Sequence, residues 1–393
     1  MVHDRAEAQQ GAMLSAENQG PYPSFGRFRL VQRLAAGGMA QLYLAAIDGP
    51  DGFSKACVVK TMLPELSSSA EFSSMFITEA KVAAMLNHPN IVAVYDFGKL
   101  GDQYFLALEY VEGRSLHELL QAAARARISL GPQVALAVGA AMCDAMTYVE
   151  EFQTPDGTPL KLVHRDLSPG NVLISTRGVV KLTDFGVVKV GSATDHTAVG
   201  VIKGKYDYMS PEQIHAMPLD HRSDIFSLGI VLYEAATQRR LFRRPTVAET
   251  VLAVGSAVVP PPRSFMPDFP EDLERVLLKA LAQAPAHRYQ SFRDLGAELE
   301  RVRASRGWVA GPSTLACLLS SLSGPAPGAF EPALATGKSV GLAEARGLVP
   351  PLEIDSVTPP KTEAARAPWG KGEFALGAVA LMLLGLITWF LIE

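Results

Sequence analysis

His164-Arg165-Asp166-Leu167-Ser168-Pro169-Gly170-Asn171, followed by Thr183-Asp184-Phe185-Gly186, decides how this chain of 393 residues is read. Two carboxylates and one amide stand at a spacing that suits phosphoryl transfer. Asp166 can accept a proton from a hydroxyl nucleophile, and Asn171 and Asp184 offer hard oxygen donors of the kind magnesium prefers. An isolated Asp-Phe-Gly is equally a turn aspartate before a glycine. Here it lies downstream of Asp166 and Asn171, with a glycine-rich stretch and a lysine further upstream and Ser210-Pro211-Glu212 further on.

Working outward, Leu34-Ala35-Ala36-Gly37-Gly38-Met39-Ala40-Gln41-Leu42 lies between two strand-like segments, Phe28 to Leu34 and Gln41 to Ile47. Cys57-Val58-Val59-Lys60 continues the strand pattern. Glu79 falls in a helical stretch, Glu71 to Asn87, and Glu109-Tyr110-Val111 follows a further pair of strand-like segments, Ile91 to Phe97 and Gln103 to Leu108. Arg222 to Thr237 reads as a strongly apolar helix, which belongs inside the protein.

In this order the segments resemble the eukaryotic-like (Hanks-type) serine/threonine protein kinases of bacteria, from about Phe28 to about Arg303. The resemblance implies an α+β, bilobal protein-kinase fold, with a small β-rich lobe and a large helical lobe. It implies ATP and Mg2+ as cofactors, with Mn2+ as a possible substitute, and protein substrates. The nucleotide site would comprise Leu34, Ala35, Ala36, Gly37, Gly38, Met39, Ala40, Gln41, Leu42, Val58, Lys60, Glu109 and Val111. Lys60 would neutralise the α- and β-phosphates, held by Glu79. Asp166 would be the catalytic base, Asn171 and Asp184 the metal ligands, and Leu108 the gatekeeper. Arg288 would pair with Glu212.

Two departures from that pattern bear on activity. Most serine/threonine kinases have a lysine two residues after the catalytic aspartate, where this chain has Ser168. Most have a threonine after the glycine that here is Gly204, followed instead by Lys205. One expectation is that Lys205 supplies the charge Ser168 cannot, because stabilising charge on the transferred phosphoryl group is the main task. The alternative for Lys205 is that it faces solvent and the enzyme is slow or inactive; the competing function is a nucleotide-binding pseudokinase scaffold at the membrane. Ser192, Thr194 and Thr197 are candidate phosphosites that Arg165 could read, or ordinary polar loop residues.

Composition sets the remaining bounds. A net charge of −4 gives no basic field for nucleic acid. Three cysteines without metal-like spacing read as small apolar residues. Residues 1–27 read as a flexible leader, 28–303 as the kinase domain and 304–322 as a helical extension. Residues 323–373, rich in Gly, Pro and Ala, read as a linker. Phe374 to Ile392 is uncharged and apolar; as a helix it would rise about 28 Å, one bilayer core. Lys361, Arg366 and Lys371 precede it, so the positive-inside rule puts the kinase on the cytoplasmic side of a single-pass inner membrane anchor. A buried core helix is the competing reading. Self-association for trans-autophosphorylation is a further expectation.

Overall fold

The computed structural model describes residues 25–154, 156–185 and 206–322. Gly186, the candidate phosphosites Ser192, Thr194 and Thr197, Lys205, the linker 323–373 and the apolar stretch 374–392 lie outside these described residues. So does all but the end of the leader.

The small lobe is built on an antiparallel sheet in the order β1-β2-β3-β5-β4. Its strands are β1 (Phe28–Ala36), β2 (Ala40–Asp48), β3 (Ser54–Met62), β4 (Val94–Leu100) and β5 (Gln103–Glu109). Strand alternation divides β3 between two environments. Cys57 and Val59 are fully buried with Phe28, Leu30 and Phe105. Val58 and Lys60 face the other way. The helix α1 (Ala70–Met85) starts at Ser69, whose hydroxyl accepts the Phe72 N–H. Its buried Phe76 and Ala80, one turn apart, share a side, whereas buried Val82 packs with Leu86 and Ile91 in the larger core. Phe76 and Ala80 pack with Met62, Leu106 and Leu108, which fixes Glu79 over the sheet.

β4 begins at Val94, later than the expected start at Ile91. The reason is a competing partner. Ile91 forms a parallel bridge with Leu182, and Val92 N–H donates to the Leu182 carbonyl at 2.9 Å. Leu182 N–H returns a bond to the Asn90 carbonyl at 2.8 Å. These bonds tie the segment before β4 to β8 (Val180–Leu182), the strand that leads into Asp184.

A second sheet, β6 (Gly113–Ser115), β7 (Val172–Ser175) and β8, runs antiparallel in chain order. It carries Asn171 before β7 and Asp184 after β8. The large lobe is otherwise helical: α2 (Leu116–Ala126), α3 (Pro132–Glu150), α4 (Pro211–Ile214), α5 (His221–Thr237), α6 (Val247–Ser256), α7 (Glu271–Ala280), α8 (Phe292–Ser305) and α9 (Pro312–Leu322). Every residue of α5 from Ser223 to Thr237 is buried, so this helix is the axis of the lobe. α3 packs on α5 and α8, and α9 packs on α2 and α3 through Leu315 and Leu319. Between α3 and the Asp166 loop, Gln153 and Pro159 bridge as a short surface hairpin. Among the described residues no helix is long and apolar enough to cross a membrane.

Candidate active site

The Asp166 loop is held from below by α5. Asp224 is fully buried and accepts the backbone N–H groups of His164 at 2.6 Å and Arg165 at 2.8 Å. Burial pushes its carboxyl up to about 7, against the pull of those two amides. Arg165 has a φ of +66°, a left-handed conformation that a non-glycine residue adopts only when its surroundings enforce it. The Asp224 clamp is one enforcing contact. Another is Gln213, whose amide donates to the Arg165 carbonyl at 3.1 Å.

Gln213 is itself held by α4, whose entry is a capping box. The Ser210 hydroxyl accepts the Gln213 N–H, and the Gln213 side chain accepts the Ser210 N–H. The next residue toward the core, Glu212, forms a two-pronged pair with Arg288 at 2.6 and 2.9 Å. Ser223 adds a hydroxyl donor to Glu212 at 2.6 Å. Burial alone would raise the Glu212 carboxyl, but Arg288 and Ser223 outweigh it and hold it below the ordinary range. The Glu212–Arg288 pairing implied by the resemblance is therefore present.

Asn171 and Asp166 share one corner. The Asn171 amide donates to the Asp166 carbonyl at 2.8 Å and to its Oδ2 at 3.1 Å. The Asn171 carbonyl oxygen accepts no hydrogen bond from the described side chains, so a hard donor is left. Asn171 also connects to the other carboxylate, because its backbone carbonyl accepts the Thr183 N–H at 3.0 Å. Asp184 has a φ of +56°. Phe185 beside it is buried against the His164 ring, with centroids 4.6 Å apart. The donor set of Asn171 and Asp184 fits a divalent cation of the magnesium type. No cluster of three or more His, Cys, Asp or Glu among the described residues offers a denser site.

From the small lobe, Lys60 Nζ reaches Glu79 Oε1 and Asp184 Oδ1, both at 2.8 Å. Burial opposes its charge, but Asp184 and then Glu79 outweigh burial and raise its pKa. For Glu79 the balance runs the other way. Burial pushes its carboxyl up, and Asp184 adds repulsion that Lys60 only partly offsets. Both directions follow from the arrangement, since one ammonium is shared by two carboxylates.

The nucleotide-facing backbone is partly pre-empted. Glu109 N–H already donates to the Ala93 carbonyl at 2.8 Å. Its carboxylate takes the Ala93 N–H at 3.1 Å and Lys181 Nζ at 2.9 Å. Sequence reasoning missed this Lys181–Glu109 pair, which joins β8 to the end of β5. The neighbouring Val111 backbone makes no hydrogen bond among the described residues, so it can meet a ligand edge. Val58 stands opposite Leu108 across β3 and β5 and opposite Leu44 across β2. In the β1–β2 turn, Gly37 N–H closes onto the Ala40 carbonyl at 2.8 Å. A Cβ at Gly37 would sit in ordinary contact, 3.5 Å from that oxygen. The protein's own packing therefore does not demand glycine there; close approach of a ligand would. Ser168 is buried, and its carbonyl accepts the Asn171 N–H at 3.0 Å.

Comparison with known proteins follows the same lines. A family model described as "Protein kinase domain" matches residues 28–294. Tyrosine-protein kinase MasK of Myxococcus xanthus is 41% identical over 276 residues, covering 70% of this chain and 43% of that protein. Serine/threonine-protein kinase PrkC of Bacillus subtilis is 34% identical, covering 70% and 40%. Serine/threonine-protein kinase PknA of Mycobacterium tuberculosis is 34% identical, covering 72% and 62%. The chain thus spans less than two thirds of these relatives. The crystal structure of the M. tuberculosis PknI kinase domain superposes with a TM-score of 0.55 at 26% identity, covering 74% of this chain and all of that one. With a trio of Lys60, Glu79 and Asp184 over a clamped Asp166 loop, and a family match across most of its length, the chain belongs to the protein kinase family.

Proposed function

We propose that the protein is a membrane-tethered serine/threonine kinase that transfers the γ-phosphate of ATP to protein hydroxyls. The observation that carries this reading is the simultaneous contact of Lys60 with Glu79 and Asp184. It joins both lobes in one arrangement, with Asp166 and Asn171 on the adjoining loop.

In this reading Lys60 binds the α- and β-phosphates and Glu79 holds it in place. The Val111 backbone meets the adenine edge, and Val58 and Leu108 shape the adenine slot. Asn171 and Asp184 hold magnesium, which neutralises phosphate charge when bound. Asp166 orients the acceptor hydroxyl and takes its proton as the new P–O bond forms. Asn171 limits the freedom of Asp166 through its amide, so the carboxylate is aimed before substrate arrives. Because Asp224 and Gln213 fix the backbone on either side of Arg165, little reorganisation is needed at the moment of transfer. Phosphorylation of Ser192, Thr194 or Thr197 would give Arg165 an anionic partner, and Lys205 would supply the charge absent at Ser168. The segment 374–392 would anchor the catalytic domain on the cytoplasmic face.

A second acceptor chemistry has a specific observation in its favour. Ser168 replaces the lysine common in serine/threonine kinases, and MasK, which shares 41% identity with this chain, is named a tyrosine kinase. Phosphoamino-acid analysis of the full chain, incubated with labelled ATP and magnesium, separates the two. Phosphoserine or phosphothreonine supports the proposal, and phosphotyrosine alone replaces it. No label, with nucleotide still raising thermal stability, supports a pseudokinase scaffold.

A further inference from the structure

The connection between α5 and α6 carries four arginines in six residues: Arg239, Arg240, Arg243 and Arg244. All four are exposed. In a chain with net charge −4, this concentration has a definite location. Arg240 bonds the Tyr208 hydroxyl, approaches Glu234 Oε2 at 3.3 Å, and meets His117 Nδ1 at 3.1 Å. The His117 N–H in turn donates to the Pro169 carbonyl at 3.0 Å, in the same loop as Asp166. The arginines therefore border the surface where an acceptor peptide must lie.

Two opposite readings compete. Glu234 and Asp207 beneath Arg240 are carboxylates, and a basic side chain of a peptide could seek them. Both are nearly inaccessible, with side chains 3% and 5% exposed. Asp207 Oδ2 has no hydrogen-bond partner, and Arg240 Nη1 is 4.0 Å away. Burial pushes both carboxyls up, Glu234 to about 8, which weakens their negative charge. A basic peptide residue could reach them only by displacing Arg240 from Tyr208, Glu234 and His117 together. What a peptide meets first is the outer face of Arg240 and, beside it, Arg243. Arg243 forms no ion pair or hydrogen bond through its side chain among the described residues.

Resting on the kinase reading, we propose that Arg240 and Arg243 form a subsite for an anionic side chain, carboxylate or phosphate, flanking the acceptor hydroxyl. Arg240 acts as a built-in lid over Glu234 and Asp207, so the surface selects acidic peptides and rejects basic ones. Exposed charge pairs act mainly on encounter and affinity and are screened by salt.

The test uses the full chain and one serine peptide with four flanks: alanine, aspartate, phosphoserine and lysine. At low salt the aspartate peptide is expected to exceed the alanine peptide in kcat/KM by about fivefold, through KM, with the lysine peptide below both. A further gain with phosphoserine identifies phosphate as the preferred anion; equality with aspartate identifies charge alone. High salt and Arg243→Glu should each erase the ratio of aspartate to alanine peptide. A lysine preference, indifference to flank, or a ratio that survives Arg243→Glu would overturn the inference. Those results would leave the kinase reading standing, whereas no transfer to any peptide overturns both.

Discussion

Replacing Arg288 by methionine should remove a large share of the protein's stability. The guanidinium is fully buried, and all its nitrogens are bonded. Nε donates to the Ala282 carbonyl, Nη1 to Glu212 and the Arg222 carbonyl, and Nη2 to Glu212 and the Gln283 carbonyl. Methionine fills much of the volume but leaves Glu212 with Ser223 as its remaining side-chain donor and strands three carbonyls. Breaking a buried ion pair from one side costs about 3–5 kcal/mol, against a usual domain stability of about 5–15 kcal/mol. Arg288→Lys keeps the charge but not the planar fork, and should lose about 2 kcal/mol. Urea unfolding followed by circular dichroism reads both as a lower midpoint at unchanged slope. The double variant Arg288→Met with Glu212→Gln should be less damaged than the two single losses added together, because each single change abandons the other's partner. The pH dependence has a definite sign. Glu212 is held below its unfolded pKa, so its contribution is full above that value and is lost as pH falls through the folded one. Glu212→Gln should flatten this acid limb. A loss under about 1 kcal/mol for Arg288→Met, or full rescue by lysine, would refute the reasoning.

Other changes test other parts of the account. Lys60→Met leaves Glu79 and Asp184 facing each other without their shared cation. Phosphoryl transfer should fall at least about a hundredfold, checked by kcat/KM, while the fold persists by circular dichroism. Gly178 has a φ of +78°, and a Cβ there would lie 1.8 Å from the Pro312 carbonyl oxygen. Gly178→Ala should therefore loosen α9, with faster amide exchange across 312–322 and a stability loss of about 1–3 kcal/mol. Asp224→Ala removes the acceptor for two loop amides and should lower kcat far more than it raises the KM for ATP.

Much of the site was legible because its chemistry is local in sequence. Asp166 and Asn171 occupy one short loop, and Asp184 follows the next strand pair. Lys60 and Val58 share a strand face by simple alternation. The strongly apolar run of α5 pointed to its burial. Helices α2 and α6 were missed although each opens with a signal, Ser115 with Glu118 and Thr246 with Glu249. Both pairs form complete capping boxes. Their apolar patterns were misleading: α2 is alanine-rich, and α6 leaves Val247 and Leu252 exposed. Contacts set by tertiary pairing were beyond a linear reading. The late start of β4, the Lys181–Glu109 link and the contacts of Arg240 with Tyr208 and His117 each join residues far apart in the chain. In those places the competing partner, rather than the local pattern, decides the structure.

The most direct test of the central claim is phosphoryl transfer by Asp166→Asn beside the parent protein, with nucleotide binding followed by thermal shift. The account predicts label on the parent, transfer reduced by several orders of magnitude in the variant, and the same nucleotide-induced stabilisation in both. Transfer by Asp166→Asn at the parent's rate would contradict it.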